Sequence, residues 1–361
     1  MAWSAEEFNV KLARVRKMIC EQNIKNLLIE TQVNFLWLSG GRPYVNNTSL
    51  EACGSLLITG DKVYLVVNNI EGQRLMDEEL KGLPVEKVEY PWWEPSGKAG
   101  VLKEICSGEK VYTDTELADK IARLRWKLVP QEKERYRETG KCASAILERV
   151  ALEIKPGQSE LHVEEKIKEA AASLGFNPWV TLVAADDRAY KYRHPLPTEK
   201  KIEKYALLAI SGHKWGLMTS ATRLIHFGHP PVDLKKRHYA VLKVDAAFIG
   251  ATMPGVKVKD IFERAKEVYK KVGFAGEWKN HHQGGMAGYN SREFRATSYC
   301  DVTVEENQAY AWNPTIAGVK SEDTILVEKS GPEIITPCVN FPTVDVEYQG
   351  FSIKRPDILI R

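Results

Sequence analysis

Two short stretches, Ile154-Lys155-Pro156-Gly157-Gln158-Ser159 and Met253-Pro254-Gly255-Val256-Lys257-Val258, echo one another, and each breaks the chain just ahead of an amphipathic segment. After the first turn, residues 159–174 carry Leu161, Ile167, Ala171 and Leu174 as an apolar stripe. After the second, Ile261, Phe262, Ala265, Val268 and Tyr269 lie on one helical face. Strand-like runs are expected at 180–185, 205–211, 217–227 and 239–249, so helix pairs introduced by Pro-Gly, each accompanied by sheet, give the C-terminal part an approximate internal echo.

The chain before these turns alternates differently. Residues 5–22 place Phe8, Leu12, Val15 and Ile19 on one face of a helix, and apolar segments follow at 27–30, 33–38 and 53–58, which read as sheet-forming. Residues 54–67 put a Gly-Asp turn between two β-prone runs, a hairpin pattern. Helices near 70–80, 98–106 and 116–126 and strands at 85–90 and 110–113 complete an α/β layer domain. Pro130 restricts Val129 and the polar run from Gln131 opens a long helix, so the reading is two domains, 1–128 and 129–361. A length of 361 residues is itself more than one core usually fills.

Charge excludes one large class of function. The 51 basic and 48 acidic side chains are interspersed, which argues against a nucleic-acid face. The densest basic run, Lys235-Lys236-Arg237-His238, reads as a solvated turn. No apolar run reaches bilayer length and Glu6-Glu7 stand where a secretory signal is basic, so no membrane contact and a cytoplasmic location are expected. Six cysteines without a C-x-x-C pair are expected to be buried free thiols.

The paired Pro-Gly helix starts, Thr222-Arg223 followed by Gly228, the cluster His281-His282-Gln283-Gly284-Gly285, Asn313-Pro314 and Ser321-Glu322-Asp323-Thr324 together resemble the creatinase, prolidase and aminopeptidase P family, M24. The resemblance covers nearly the whole chain. It implies a creatinase/prolidase-like α/β N-terminal domain ahead of an α+β pita-bread domain, and a homodimer. It also implies a cavity in which the family's peptidases hold two divalent ions with two Asp, one His and two Glu, a hard-oxygen set that activates a shared water. On that register Ala209 and Ser220 stand at the aspartate positions and Asn313 at a glutamate position, leaving one of His281 and His282, with His282 favoured, and Glu322. No metal and no cofactor are therefore expected.

The candidate catalytic residues are His282, Glu322, His194 and Glu293, and the candidate substrate-binding residues are His281, Arg292, Asn313 and Trp312. Histidine is the natural proton shuttle near neutral pH, and His194 matches a family histidine that helps stabilise the reacting carbonyl. Adjacent histidines on a strand face opposite ways, so at most one of His281 and His282 is expected to face a pocket. Arg292 can clamp a carboxylate and Glu293 can orient a histidine or amine. Trp312, Tyr310 and Trp215 can stack on a flat or cationic ligand. Creatinase, a family member that cleaves a C–N bond without metal, makes a metal-independent hydrolase acting on a small amino-acid derivative or dipeptide the leading reading. A non-catalytic binding or interaction protein for a small molecule or short peptide, and an Xaa-Pro dipeptidase or aminopeptidase with an unconventional metal site, are the alternatives.

Overall fold

The computed structural model describes residues 3–361. The chain divides between Trp126 and Lys127 into two compact units.

In the first unit, helix α1 (Ala5–Glu21) starts where the Ser4 hydroxyl accepts the Glu7 N–H at 3.1 Å, and it buries the expected face of Phe8, Leu12, Val15 and Ile19. Strands β1 (Asn26–Thr31), β2 (Glu51–Ile58), β3 (Val63–Asn68), β4 (Glu86–Tyr90) and β5 (Val111–Thr113) form one sheet in the order β4-β3-β2-β1-β5. The β2–β3 hairpin is present, with Ile58 opposite Val63. The apolar run 33–38 is not a strand. It is helix α2 (Gln32–Ser39), because buried Asp114 accepts the Thr31 hydroxyl at 2.5 Å and the Asn34 amide at 2.7 Å, which turns the chain out of β1. A short turn α3 (Gly72–Arg74) and helices α4 (Gly97–Ile105) and α5 (Ala118–Trp126) complete the unit.

The second unit opens with α6 (Pro130–Glu153), where Pro130 sits at the first helical position and the Glu132 carboxylate accepts the Val129 N–H at 2.7 Å. The two Pro-Gly turns are conformational twins. Gly157 and Gly255 both have φ of +88°, the left-handed third position of a type II turn with proline before it. Each turn is followed by a bridge that ties the next helix to the neighbouring chain, Ser159 to Lys201 and Lys257 to Thr303. Behind them run α7 (Glu160–Ser173), a short α8 (Arg188–Lys191), α9 (Val232–Ala251) and α10 (Val258–Lys271).

Strands β6 (Asn177–Ala185), β7 (Tyr205–Lys214) and β8 (Leu217–His226) form a meander, with β18 (Ile358–Ile360) parallel to β8. The second sheet has the order β10-β9-β11-β14-β15, from β9 (Gly284–Ala287), β10 (Phe294–Arg295), β11 (Ala309–Trp312), β14 (Asp323–Glu328) and β15 (Gly331–Ile334). Two ribbons stand apart, β12 (Thr315–Ile316) with β13 (Val319–Lys320) and β16 (Thr343–Tyr348) with β17 (Phe351–Pro356). The sheets are stitched where β8 passes β14: the Ser220 N–H donates to Thr324 Oγ1 at 2.8 Å, which donates back to the Ser220 carbonyl at 3.0 Å.

Residues 239–249 are helical rather than extended. They lie in α9, which is buried on several sides against β11, β13 and the β16–β17 ribbon, so its apolar residues do not form the single stripe that marks a surface helix. Lys235 to His238 accordingly belong to the helix and not to a turn, with Arg237 Nε 2.7 Å from Asp233. Beneath β14, Asp323 bridges Arg223 at 3.1 Å and Arg355 at 2.6 Å, and Arg355 reaches Asp245 at 2.6 Å. This fully enclosed network makes Arg223 structural and holds the start of β14, which Glu322 directly precedes. All six cysteines are free, but only Cys106 and Cys142 are buried, and Cys20 is exposed on the polar side of α1.

The β7–β8 hairpin turns through Trp215 and Gly216, at φ +56° and +78°. At its end His213 is buried, and its Nδ1 accepts the Gly216 N–H at 3.1 Å. Burial alone pushes this imidazole down to about 4. The folded protein therefore keeps His213 neutral while the unfolded chain protonates it near the ordinary value, so its contribution is complete above that value and is lost as pH falls toward 4. Stability followed by urea unfolding should drop on acidification from pH 7 to 4.5, and His213→Gln should remove roughly 2–3 kcal/mol of that drop. An unchanged slope in the variant would locate the acid sensitivity elsewhere.

Candidate active-site cavity

A cavity of about 520 Å³ opens within the second unit, lined by residues from β6, β7, β8, β10 and β13 and from the segments that follow α8, flank β9 and follow β11 and β13. Ala209, Ser220, His282, Asn313 and Glu322, far apart in sequence, all line it. Hairpin register explains the first two: Ala209 pairs with Thr222 and Ser211 with Ser220, and the Ser220 hydroxyl donates to Ser211 at 3.0 Å. Asn313 follows directly on β11, and its buried Oδ1 has no partner.

His282 precedes the Gly284-Gly285 pair of β9. A Cβ on Gly284 would lie 2.2 Å from the Ala311 carbonyl and one on Gly285 2.2 Å from that of Phe294, so only glycines let β9 approach β11 and β10 this closely. The adjacent histidines do not face opposite ways, because they lie ahead of the strand rather than in it, and their rings stack at 4.3 Å. His282 lines the cavity. His281 is buried behind it, with Nε2 3.0 Å from Nε2 of His194, which also lines the cavity. The expectation that His281 contacts ligand is therefore corrected to a partner of His194. Burial first, then nearby cations, lower all three imidazoles, His282 to about 4 and His281 to about 2. Each of the three offers a nitrogen within 4.8 Å of the others.

Glu322 has both oxygens occupied. Oε2 accepts the Thr222 hydroxyl at 2.8 Å and faces Lys320 Nζ at 2.7 Å, while Arg292 stands 3.6 Å from Oε1. Burial would raise this carboxyl, but Lys320 and Arg292 outweigh it and hold it below its ordinary value. Arg292 lines the cavity as expected.

Two expected site residues are elsewhere. Glu293 accepts the Asn290 N–H at 3.2 Å and its side-chain amide at 3.3 Å, which folds its own loop rather than the cavity wall. Trp312 is completely buried, donates its indole N–H to Thr252 at 3.0 Å and stacks between Phe248 and Tyr310. It precedes Asn313, and neighbouring residues of an extended chain point opposite ways, so the core takes the tryptophan and the cavity takes the asparagine. Tyr310 and Trp215 do not line the cavity either. The residues not anticipated are Lys320, Arg295 and Ser211. Two arginines within Ser291-Arg292-Glu293-Phe294-Arg295 and a lysine two places before Glu322 were the available signals.

An N-terminal α/β unit followed by two helix-backed sheets that enclose a polar cavity defines the creatinase/prolidase N-terminal domain joined to a pita-bread catalytic domain. Residues 134–329 match metallopeptidase family M24, and the chain belongs to that family. It is 26% identical over 353 residues to an Xaa-Pro dipeptidase of Pyrococcus horikoshii, covering 91% of this chain and 97% of that relative. Among solved structures, the prolidase of Pyrococcus horikoshii OT3 aligns with a TM-score of 0.75 at 22% identity over 91% of this chain and 98% of its own. The Xaa-Pro dipeptidase from Bacillus anthracis aligns with a TM-score of 0.79 at 18% identity over 98% and 100%. Among the described residues no helix is long and apolar enough to cross a membrane.

Proposed function

We propose that this M24 protein hydrolyses the C–N bond of a small amino-acid derivative or dipeptide, and that it does so without the pair of divalent ions the family resemblance implies. The Xaa-Pro dipeptidases among its relatives make Xaa-Pro dipeptides the first substrates to test. The observation that carries the metal-free reading is the donor set. Ala209 offers no ligand atom, Ser220 and Asn313 offer only neutral oxygens, and Glu322 is already matched by the Lys320 ammonium at 2.7 Å. Such a set does not fit two divalent cations.

The remaining groups support proton transfer and charge stabilisation. His282, neutral and lining the cavity, is placed to take a proton from water and to pass it to the leaving nitrogen. Lys320 and Arg292 supply fixed positive charge for the oxyanion that forms as water adds to the carbonyl, and Glu322 holds both cations in place.

One observation favours a second reading. Three neutral imidazoles with nitrogens inside 4.8 Å suit a single transition ion, which would make the protein an Xaa-Pro peptidase with an unconventional metal site. Elemental analysis of protein purified without chelator should find less than one transition metal per chain. Turnover of Xaa-Pro, N-acyl or creatine-like compounds should survive EDTA. Two ions per chain would overturn the donor argument, and activity lost to EDTA and restored by manganese would favour the histidine-bound ion. A protein that binds these compounds and turns none of them over would be the non-catalytic relative.

A further inference from the structure

The charge of the cavity points to its ligand. Arg292, Arg295 and Lys320 line it against a single lining carboxylate, Glu322, so three cations face one anion and two positive charges are left over. Any protonation of His194 or His282 would enlarge the excess. The surplus does not dissolve into the surroundings by local pairing. Lys320 is 6% exposed and spends its contact on Glu322, Arg292 has a buried Nε without a partner, and among the described residues Arg295 has no ion-pair partner. Like charges gathered in a partly enclosed space raise one another's cost, and the ligand that relieves it carries the opposite charge. A volume of about 520 Å³ has room for a small molecule together with water.

We propose that the cavity takes a small dianion, a compound with two carboxylates, seated on Arg292, Arg295 and Lys320. This rests on the cavity being the substrate site and narrows the substrate to an N-acyl derivative of an acidic amino acid, which keeps both carboxylates. Arg295, on β10, supplies the outer contact at the exposed edge, and Lys320 and Arg292 supply the inner one beside Glu322. Serine hydroxyls of Ser211 and Ser291 and the amide of Asn313 complete a wall of neutral hydrogen-bonding groups.

The test is calorimetric titration of the whole protein with succinate, glutarate and adipate, followed by the monoamide and the diamide of whichever binds tightest. These keep one carbon skeleton while charge falls from two to one to none. The dicarboxylate should bind at least about tenfold tighter than its monoamide, the diamide should not bind measurably, and added sodium chloride should weaken the dicarboxylate most. Arg295→Gln, at an exposed position where folding is not at stake, should erase most of the difference between dicarboxylate and monoamide. Lys320→Met should weaken both. Equal binding of dicarboxylate and diamide, no binding of any dicarboxylate at about 10 mM, or an unchanged affinity in Arg295→Gln would each overturn the assignment. Dicarboxylate binding without turnover of any amide keeps this inference and removes the hydrolase. Turnover of neutral dipeptides with no preference for acidic ones keeps the hydrolase and removes this inference.

Discussion

Substituting His282 by asparagine should lower turnover by at least about tenfold and by as much as about 10⁴-fold, the range a positioned proton shuttle supplies, with little change in unfolding temperature. The ring lines the cavity and its Nδ1 makes no hydrogen bond that holds the fold together, so asparagine removes a proton relay without removing a structural bond. His281 is the control. It is buried and bonded to His194 at 3.0 Å, so His281→Asn should act more on stability and less on turnover. Turnover and thermal unfolding measured together on both variants decide the matter. Loss of activity confined to His281→Asn would mean that the relay runs through the His281–His194 pair instead.

The second large effect is a gain. Restoring carboxylates by Ala209→Asp, Ser220→Asp and Asn313→Glu puts three acids on walls that already converge with His282 and Glu322. The structure adds a condition, since Lys320 stands 2.7 Å from Glu322 and would pair with the new acids. The triple variant should therefore bind manganese weakly, and adding Lys320→Gln should raise its affinity by at least about 10³-fold, roughly 4 kcal/mol. Without metal, the crowded carboxylates should repel one another, so the apo form should unfold more easily than the parent. Calorimetry and unfolding on the same sample test both halves. A folded quadruple variant that takes up no manganese would show that these positions do not share one site.

Much of the architecture could be read along the chain because it is set by local rules. A Pro-Gly turn needs its glycine at positive φ wherever it occurs, and Gly157 and Gly255 both comply at +88°. Helix α10 exposes one face and buries the other, so its stripe is visible in sequence. Helix α9 is surrounded by protein, so its stripe is not. The run 33–38 departs from its local pattern for a different reason. What turns it into a helix is Asp114, a residue of a distant segment whose carboxylate accepts the backbone N–H groups of Glu30 and Thr31 at the end of β1, together with the Thr31 hydroxyl and the Asn34 amide.

Residue types, and their order along the chain, were enough to place this protein in an M24-like, two-domain α/β class and to mark Ala209, Ser220 and Asn313 as poor metal ligands, because ligand chemistry belongs to the side chain itself. Which side chains meet was decided only in three dimensions. Alternation about the end of β11 sends Trp312 into the core and Asn313 to the cavity, and the glycines of β9 bring His282 to the wall while His281 turns to His194. The positive cavity was decided there too. Lys320, Arg292 and Arg295 are unremarkable among 51 basic residues until the fold sets them around Glu322, since charge acts through distance in space and not along the chain.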